Sequence, residues 1–192
     1  MRALVRRFDA VIRRIEGVFE FCHQQDCILR LQLGQARRAI DLPEIKLNLG
    51  SSVLFLHLWN ERLPPFPPGG ADLAWANLAR HKFLSSLRAV AAEIRRNPCL
   101  SKVQAIGGVT VLIDLPGASG SAKLMERLGF RVFPVRNPLG RFGEFWENFY
   151  TWALMWTYNP GTLRGRNLFR LKRVEIWISR EEFLRRYGNK DQ

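Results

Sequence analysis

The first nineteen residues, MRALVRRFDAVIRRIEGVF, carry apolar side chains at helical spacing. At about 100° per residue, Leu4, Phe8, Val11, Ile12, Ile15, Val18 and Phe19 fall in one arc of about 120°. Arg2, Arg6, Arg7, Arg13 and Arg14 fall on the other side. The spacing predicts an amphipathic helix with two open placements. It packs its apolar face on the domain and leaves a basic face in water, or it lies apolar face down on an anionic membrane.

Beyond this helix the period changes. DCILRLQLG alternates and predicts a strand, with RRAIDL as its partner. VLFLHLWN is nearly continuous in apolar residues, which predicts a buried central strand. PPFPPGG is a loop. Asp72 caps a long helix from Leu73 to Arg96, stopped by Asn97-Pro98. KVQAIGGVTVLID predicts a β-branched strand with a glycine bulge, followed by a loop over LPGASGS. SAKLMERLGFRVFPV predicts a helix that ends at Gly129 and hands over to a strand. Glu144 to Tyr158 predicts a helix apolar on most sides, buried or, with Trp146, Trp152 and Trp156 near headgroups, interfacial. A basic stretch and strand, RGRNLFRLKRVEIWIS, lead to a final helix capped by Ser179 and ended by Gly188, with Glu182 completing a capping box. The order predicts an α/β or α+β fold with a mixed sheet. Three segments are expected: a basic helix over 1–20, a core over 21–136, and an aromatic, basic extension over 137–192 packed on that core.

Composition adds one strong bias. Against 17 Asp and Glu the chain has 30 Lys and Arg, a net charge of +13, so an anionic partner is expected. Cys22, Cys27 and Cys99 form no disulfide framework, and Cys22, His23 and Cys27 lack a second ligand pair, so no metal is expected. Free thiols and the lack of a secretory signal lead to an expected cytoplasmic location, peripheral on the inner face of a membrane. No stretch reaches the roughly 18 apolar residues of a spanning helix.

The candidate chemistry is sparse. His57 and Glu61 close the buried strand, where α/β folds often place site residues, and are the candidate catalytic pair. Asn60 and Tyr158 are candidate substrate contacts. His81 lies among the cations Arg80 and Lys82 toward the start of the long helix, where free amides favour phosphate. The alternatives are a core histidine and a solvated basic face. The G-x-S-x-G, P-loop, G-x-G-x-x-G and H-E-x-x-H patterns are absent. So are the helix-turn-helix, zinc-finger, K-homology and RNA-recognition signatures, so nucleic acid is not the expected partner.

Two resemblances widen this reading. AKLMERLGF and the order of elements from about Asp72 to Val135 resemble the later half of the Gcn5-related N-acetyltransferase superfamily. That resemblance implies an acetyltransferase-like layer architecture and acyl-coenzyme A as cofactor, with Arg80, Lys82 and Ser85 beside its phosphates. His57 or Glu61 would then be the base that deprotonates an acceptor. The chain departs from the pattern at Met125, where active members often carry a tyrosine acid, and at Phe83, where small residues would admit the phosphates. LFLHLWNERL, AIGGVTVL, AKLMERLGF and YNPGTLRGRNLFRLKRVEIWISREEFLRRYG together resemble the YkoP-like family of bacterial proteins. This implies a place in cell-envelope polysaccharide or lipid metabolism, with the membrane surface or an envelope polysaccharide enzyme as partner. A non-catalytic membrane-binding module is the alternative to acyl transfer.

Overall fold

The alternating and continuous apolar runs assemble into one mixed five-stranded sheet. The computed structural model describes residues 2–67, 70, 72–112, 121–135, 140–163 and 172–188. In chain order the elements are α1 (Arg2–Glu16), β1 (Leu29–Gln35), β2 (Ile40–Asp41), β3 (Lys46–Leu47), β4 (Ser52–Leu58), α2 (Leu73–Arg96), β5 (Ala105–Leu112), α3 (Ser121–Arg127), β6 (Arg131–Pro134), α4 (Gly140–Tyr158), β7 (Lys172–Ser179) and α5 (Arg180–Tyr187). Short 3-10 turns follow β4, α2 and α4. The loop expected before Ser121 and the basic stretch before Lys172 lie outside the described residues.

The strand order is β1-β4-β5-β7-β6. Only the central β4–β5 step is parallel, and α2 is its crossover helix. The ladder there joins Val53–Phe55 to Ala105–Gly107, after which both strands continue. The expected core over 21–136 and the segment 137–192 share this sheet, because β7 lies between β5 and β6.

Leu87, Val90, Ala91 and Ile94 of α2 cover one sheet face, against Leu29, Leu31, Leu54, Ile106, Ile176 and Ile178. Phe130, Phe183 and Tyr187 close the same cluster. The other face carries a smaller cluster in which Ile40, Leu42 and Leu47 meet Val53, Ala105 and Trp177.

Several local readings hold. Asp72 Oδ1 accepts from the Trp75 amide at 2.7 Å, and α2 spans Leu73–Arg96. Ser179 Oγ accepts from the Glu182 amide, although the Glu182 carboxylate turns to Arg185 and Arg186 instead of back to the cap. Gly129 ends α3 at φ +89°, the Phe130 amide reaching Met125 O and the Gly129 amide Glu126 O. This pairing is a Schellman cap, and it delivers Phe130 to the core.

Four expectations are corrected. RRAIDL does not pair with β1; β2 pairs with β3 in a two-residue ladder. The β4 strand needs neighbours on both edges, and β1 supplies a matching antiparallel ladder from Leu29↔Leu58 to Gln35↔Ser52. No bulge marks the glycines of β5, whose ladder with β7 is one-for-one. Gly107 serves close approach instead: a Cβ there would stand 2.1 Å from Ile176 O and 2.5 Å from the Trp177 ring. The α4 helix starts at Gly140 and is not buried along its length: Phe142, Phe145, Trp146 and Phe149 are exposed.

The fourth correction concerns α1. Most of its apolar face does not pack on the domain, although Ile12 at its edge is half-buried. Leu4, Phe8, Val11 and Ile15 are 55–79% exposed, and the buried residue is Asp9, at 4%. The side of the helix turned inward is mixed, with Asp9 buried and Val5, Ile12 and Arg13 half-buried.

Candidate functional site

Asp9 organises the junction of α1 and α4. Tyr150 Oη donates to its Oδ1 at 2.8 Å and Tyr158 Oη to its Oδ2 at 3.4 Å. Arg13, one turn on, brings Nε to 3.1 Å from Oδ2 as a charge contact, without the alignment of a hydrogen bond. A buried carboxylate needs such partners, because leaving it bare costs several kcal/mol. Burial, reinforced by Asp9, pushes the Tyr150 hydroxyl far above its ordinary value. Burial, then Glu61 and Asp9, pushes Tyr158 up to about 12. Both phenols therefore stay protonated and donate.

The network continues into the sheet. Arg13 Nη2 lies 3.5 Å from Glu61 Oε1, and Glu61 also accepts from Arg30 of β1 at 3.2 Å. Arg30 is itself buried and reaches Glu20 at 3.0 Å. The guanidinium groups of Arg30 and Arg62 lie over the Trp59 ring, at 4.3 and 3.4 Å from its centroid. Arg2 and Arg6 of α1 lie over Trp156 and Tyr158 of α4.

This places the residues singled out from sequence. Glu61 and Tyr158 enter one network through Arg13 and Asp9, and Asn60 shares the short turn that carries Glu61. His57 sits apart in β4, where its Nε2 donates to Gln32 Oε1 at 2.8 Å and burial lowers its basicity. Glu61 is engaged by two arginines. Arg80, Lys82 and Ser85 lie inside α2, whose interior amides are bonded within the helix. Lys82 ion-pairs with Asp26 at 3.2 Å and donates to Gln25 O, pinning the loop before β1. Phe83 of α2, Leu56 of β4 and Met125 of α3 pack against the core. Among the described residues no cluster of His, Cys, Asp and Glu could hold a metal ion.

Sequence reasoning missed Asp9, Arg13, Arg30 and Tyr150. Asp9 left a signal: it is the one acidic residue before Glu16, alone among the arginines.

Outside this network, α1 and α4 both expose apolar side chains, and Phe8 of the α1 stripe touches α4. Phe8 meets Tyr150 edge-on at 6.2 Å, and Phe149 precedes Tyr150. Phe145 and Phe149 stack, and Trp146 meets both of them and Phe142 edge-on. Arg7 and Arg14 are exposed beside the α1 stripe and make no ion pair among the described residues. No helix among the described residues is long and apolar enough to cross a membrane.

The chain matches the YkoP domain over residues 7–187 and belongs to that family. No curated protein and no solved structure matches it.

Proposed function

We propose that this YkoP-domain chain works at the surface of an anionic membrane, docking through α1 and α4. The observation that carries this reading is the outward apolar stripe of α1, Leu4, Phe8, Val11 and Ile15. With Phe142, Phe145, Trp146 and Phe149 it makes an apolar area of a kind soluble surfaces rarely display in water. Large apolar side chains gain about 1.5–3 kcal/mol each on full burial, so even partial insertion gives useful affinity. Charge selects the occupant: Arg7 and Arg14 rim the stripe and the chain carries +13, which suits phospholipid headgroups of net negative charge. Trp146 has the amphipathic character favoured at headgroup depth, and Phe142, Phe145 and Phe149 beside it add apolar area.

Flotation with vesicles of phosphatidylglycerol and phosphatidylcholine tests the reading. Co-flotation that grows with the anionic fraction is the expected result. Equal recovery with and without lipid at low salt sinks it. So does a stable dimer whose interface removes the patch from solvent, because a second copy would then be the occupant.

Acyl transfer is a second reading, favoured by the parallel β4–β5 pair that stops bonding at Phe55 and Gly107 while both strands run on. In it His57, kept neutral by burial and donating from Nε2 to Gln32, offers Nδ1 to a proton from the acceptor. The packing of Phe83 and Leu56 into the core speaks for the binding module instead. Acetyl-coenzyme A at millimolar concentration raises the melting temperature if acyl transfer is right and leaves it unchanged if it is wrong.

A further inference from the structure

The α1 helix poses a physical problem that its sequence sharpens. A strongly amphipathic helix next to a folded domain ordinarily turns its apolar side inward. Here the inward side buries Asp9 and half-buries Arg13 beside Val5 and Ile12, the exposed Arg2 and Arg6 reach α4 through their guanidinium groups, and the outward side carries Leu4, Phe8, Val11 and Ile15. Something specific must oppose rotation about the helix axis. The inward contacts supply it. Asp9 meets two tyrosine hydroxyls from α4, two turns apart, and Arg13 joins Asp9 to Glu61 of the short turn after β4. Two donors spaced along α4 fix the rotation of α1 in a way one contact would not. Arg2 over Trp156 and Arg6 over Tyr158 hold the preceding turns in the same sense.

We propose that Asp9, Tyr150 and Tyr158 form a clasp that sets the roll of α1 and so presents Leu4, Phe8, Val11 and Ile15 to the bilayer. This rests on the membrane-docking reading and deepens it. Asp9 and the two tyrosines are positioning residues, since they touch no lipid themselves. Without the clasp, α1 turns its apolar stripe onto α4 or detaches, and the docking surface is lost while every lipid-facing side chain remains in the sequence.

The electrostatic expectation has the opposite sign, which makes the test decisive. Asp9→Ala raises the net charge by one, to +14 from the wild-type +13. Charge alone then predicts tighter binding to anionic vesicles. Loss of the clasp predicts weaker binding, by about tenfold or more in apparent affinity for vesicles of phosphatidylglycerol and phosphatidylcholine. Tyr150→Phe with Tyr158→Phe removes the two donors at constant charge and is expected to weaken binding in the same direction. Hydrogen exchange in water supplies a readout independent of lipid: the amides of residues 2–16 exchange faster in both variants, and those of β5 and β7 do not change. Unaltered affinity and unaltered α1 exchange in the variants overturn the clasp. If Asp9→Ala does not fold, as judged by circular dichroism, the tyrosine pair decides alone. Failure of the wild-type chain to bind vesicles is a different outcome, because it overturns the docking reading while α1 exchange still reports on the clasp.

Discussion

Trp177 lies flat against a backbone that has no side chain to offer it. The ring occupies the space above Gly107, and Phe55 meets it edge-on at 5.6 Å. Gly107→Ala forces a methyl group into the Ile176 carbonyl and the indole, at distances no relaxation of a side chain tip can restore. We expect a loss of about 3 kcal/mol in chemical denaturation, whereas Ala at the open Gly50 acts only through its φ of +84°. His57 makes a second prediction at this scale. Burial lowers its pKa below the ordinary histidine value. The unfolded chain binds that proton at a higher pH than the folded chain does. Stability from this group is therefore present above about pH 6.5 and declines as the pH falls through that value toward the folded one. NMR titration of the imidazole should give a midpoint below that of an unfolded reference, and a midpoint at or above the reference would refute the assignment. Met125, notable in sequence for the chemistry it lacks, has an ordinary structural role and packs on the core beside Leu128.

Individual elements differ in how far their sequence predicts them. The α2 helix is readable to its last residue, because its cap, its length and its Asn-Pro stop are local signals that tertiary contacts do not override. The Schellman turn at Gly129 is readable for the same reason. Strand pairing is not. RRAIDL and DCILRLQLG are neighbours in sequence, but β4 is a better partner for β1 because it matches its length and needs cover on that edge. The orientation of α1 is also illegible, although its helicity is plain. Periodicity defines which side chains share a face, not which face a folded neighbour prefers. That preference is set by Tyr150 and Tyr158, more than a hundred residues away in the chain. The candidate site is half legible: Glu61 and Tyr158 lie in one network, and Arg13, which joins them through Asp9, gives no signal. The helix-scale prediction follows from the exposed stripe. Leu4→Asp together with Ile15→Asp leaves the clasp intact, because both side chains are over 70% exposed, and should abolish vesicle binding, with circular dichroism and melting temperature close to wild type. Binding retained by this variant would move the docking surface elsewhere.

At the scale of the molecule, charge and apolar area contribute at different ranges. The net charge of +13 gives attraction at a distance, and the α1–α4 surface gives adhesion at contact. These parts respond differently to salt. The Debye length shrinks from about 10 Å at 0.1 M to about 3 Å at 1 M, so the long-range part is screened first. Vesicle association rates should fall steeply over that range in stopped-flow mixing, with a smaller change in dissociation. Equal changes in both rates would argue against this division. The sheet carries a consequence of another kind. β7 lies between β5 and β6, yet it is the last strand to emerge from a ribosome. A nascent chain that has completed β6 thus holds two strands that cannot touch, each with an unpaired edge toward an empty lane. Folding of this domain waits for its final strand, and the interval before β7 arrives is when the chain most needs protection from other nascent chains.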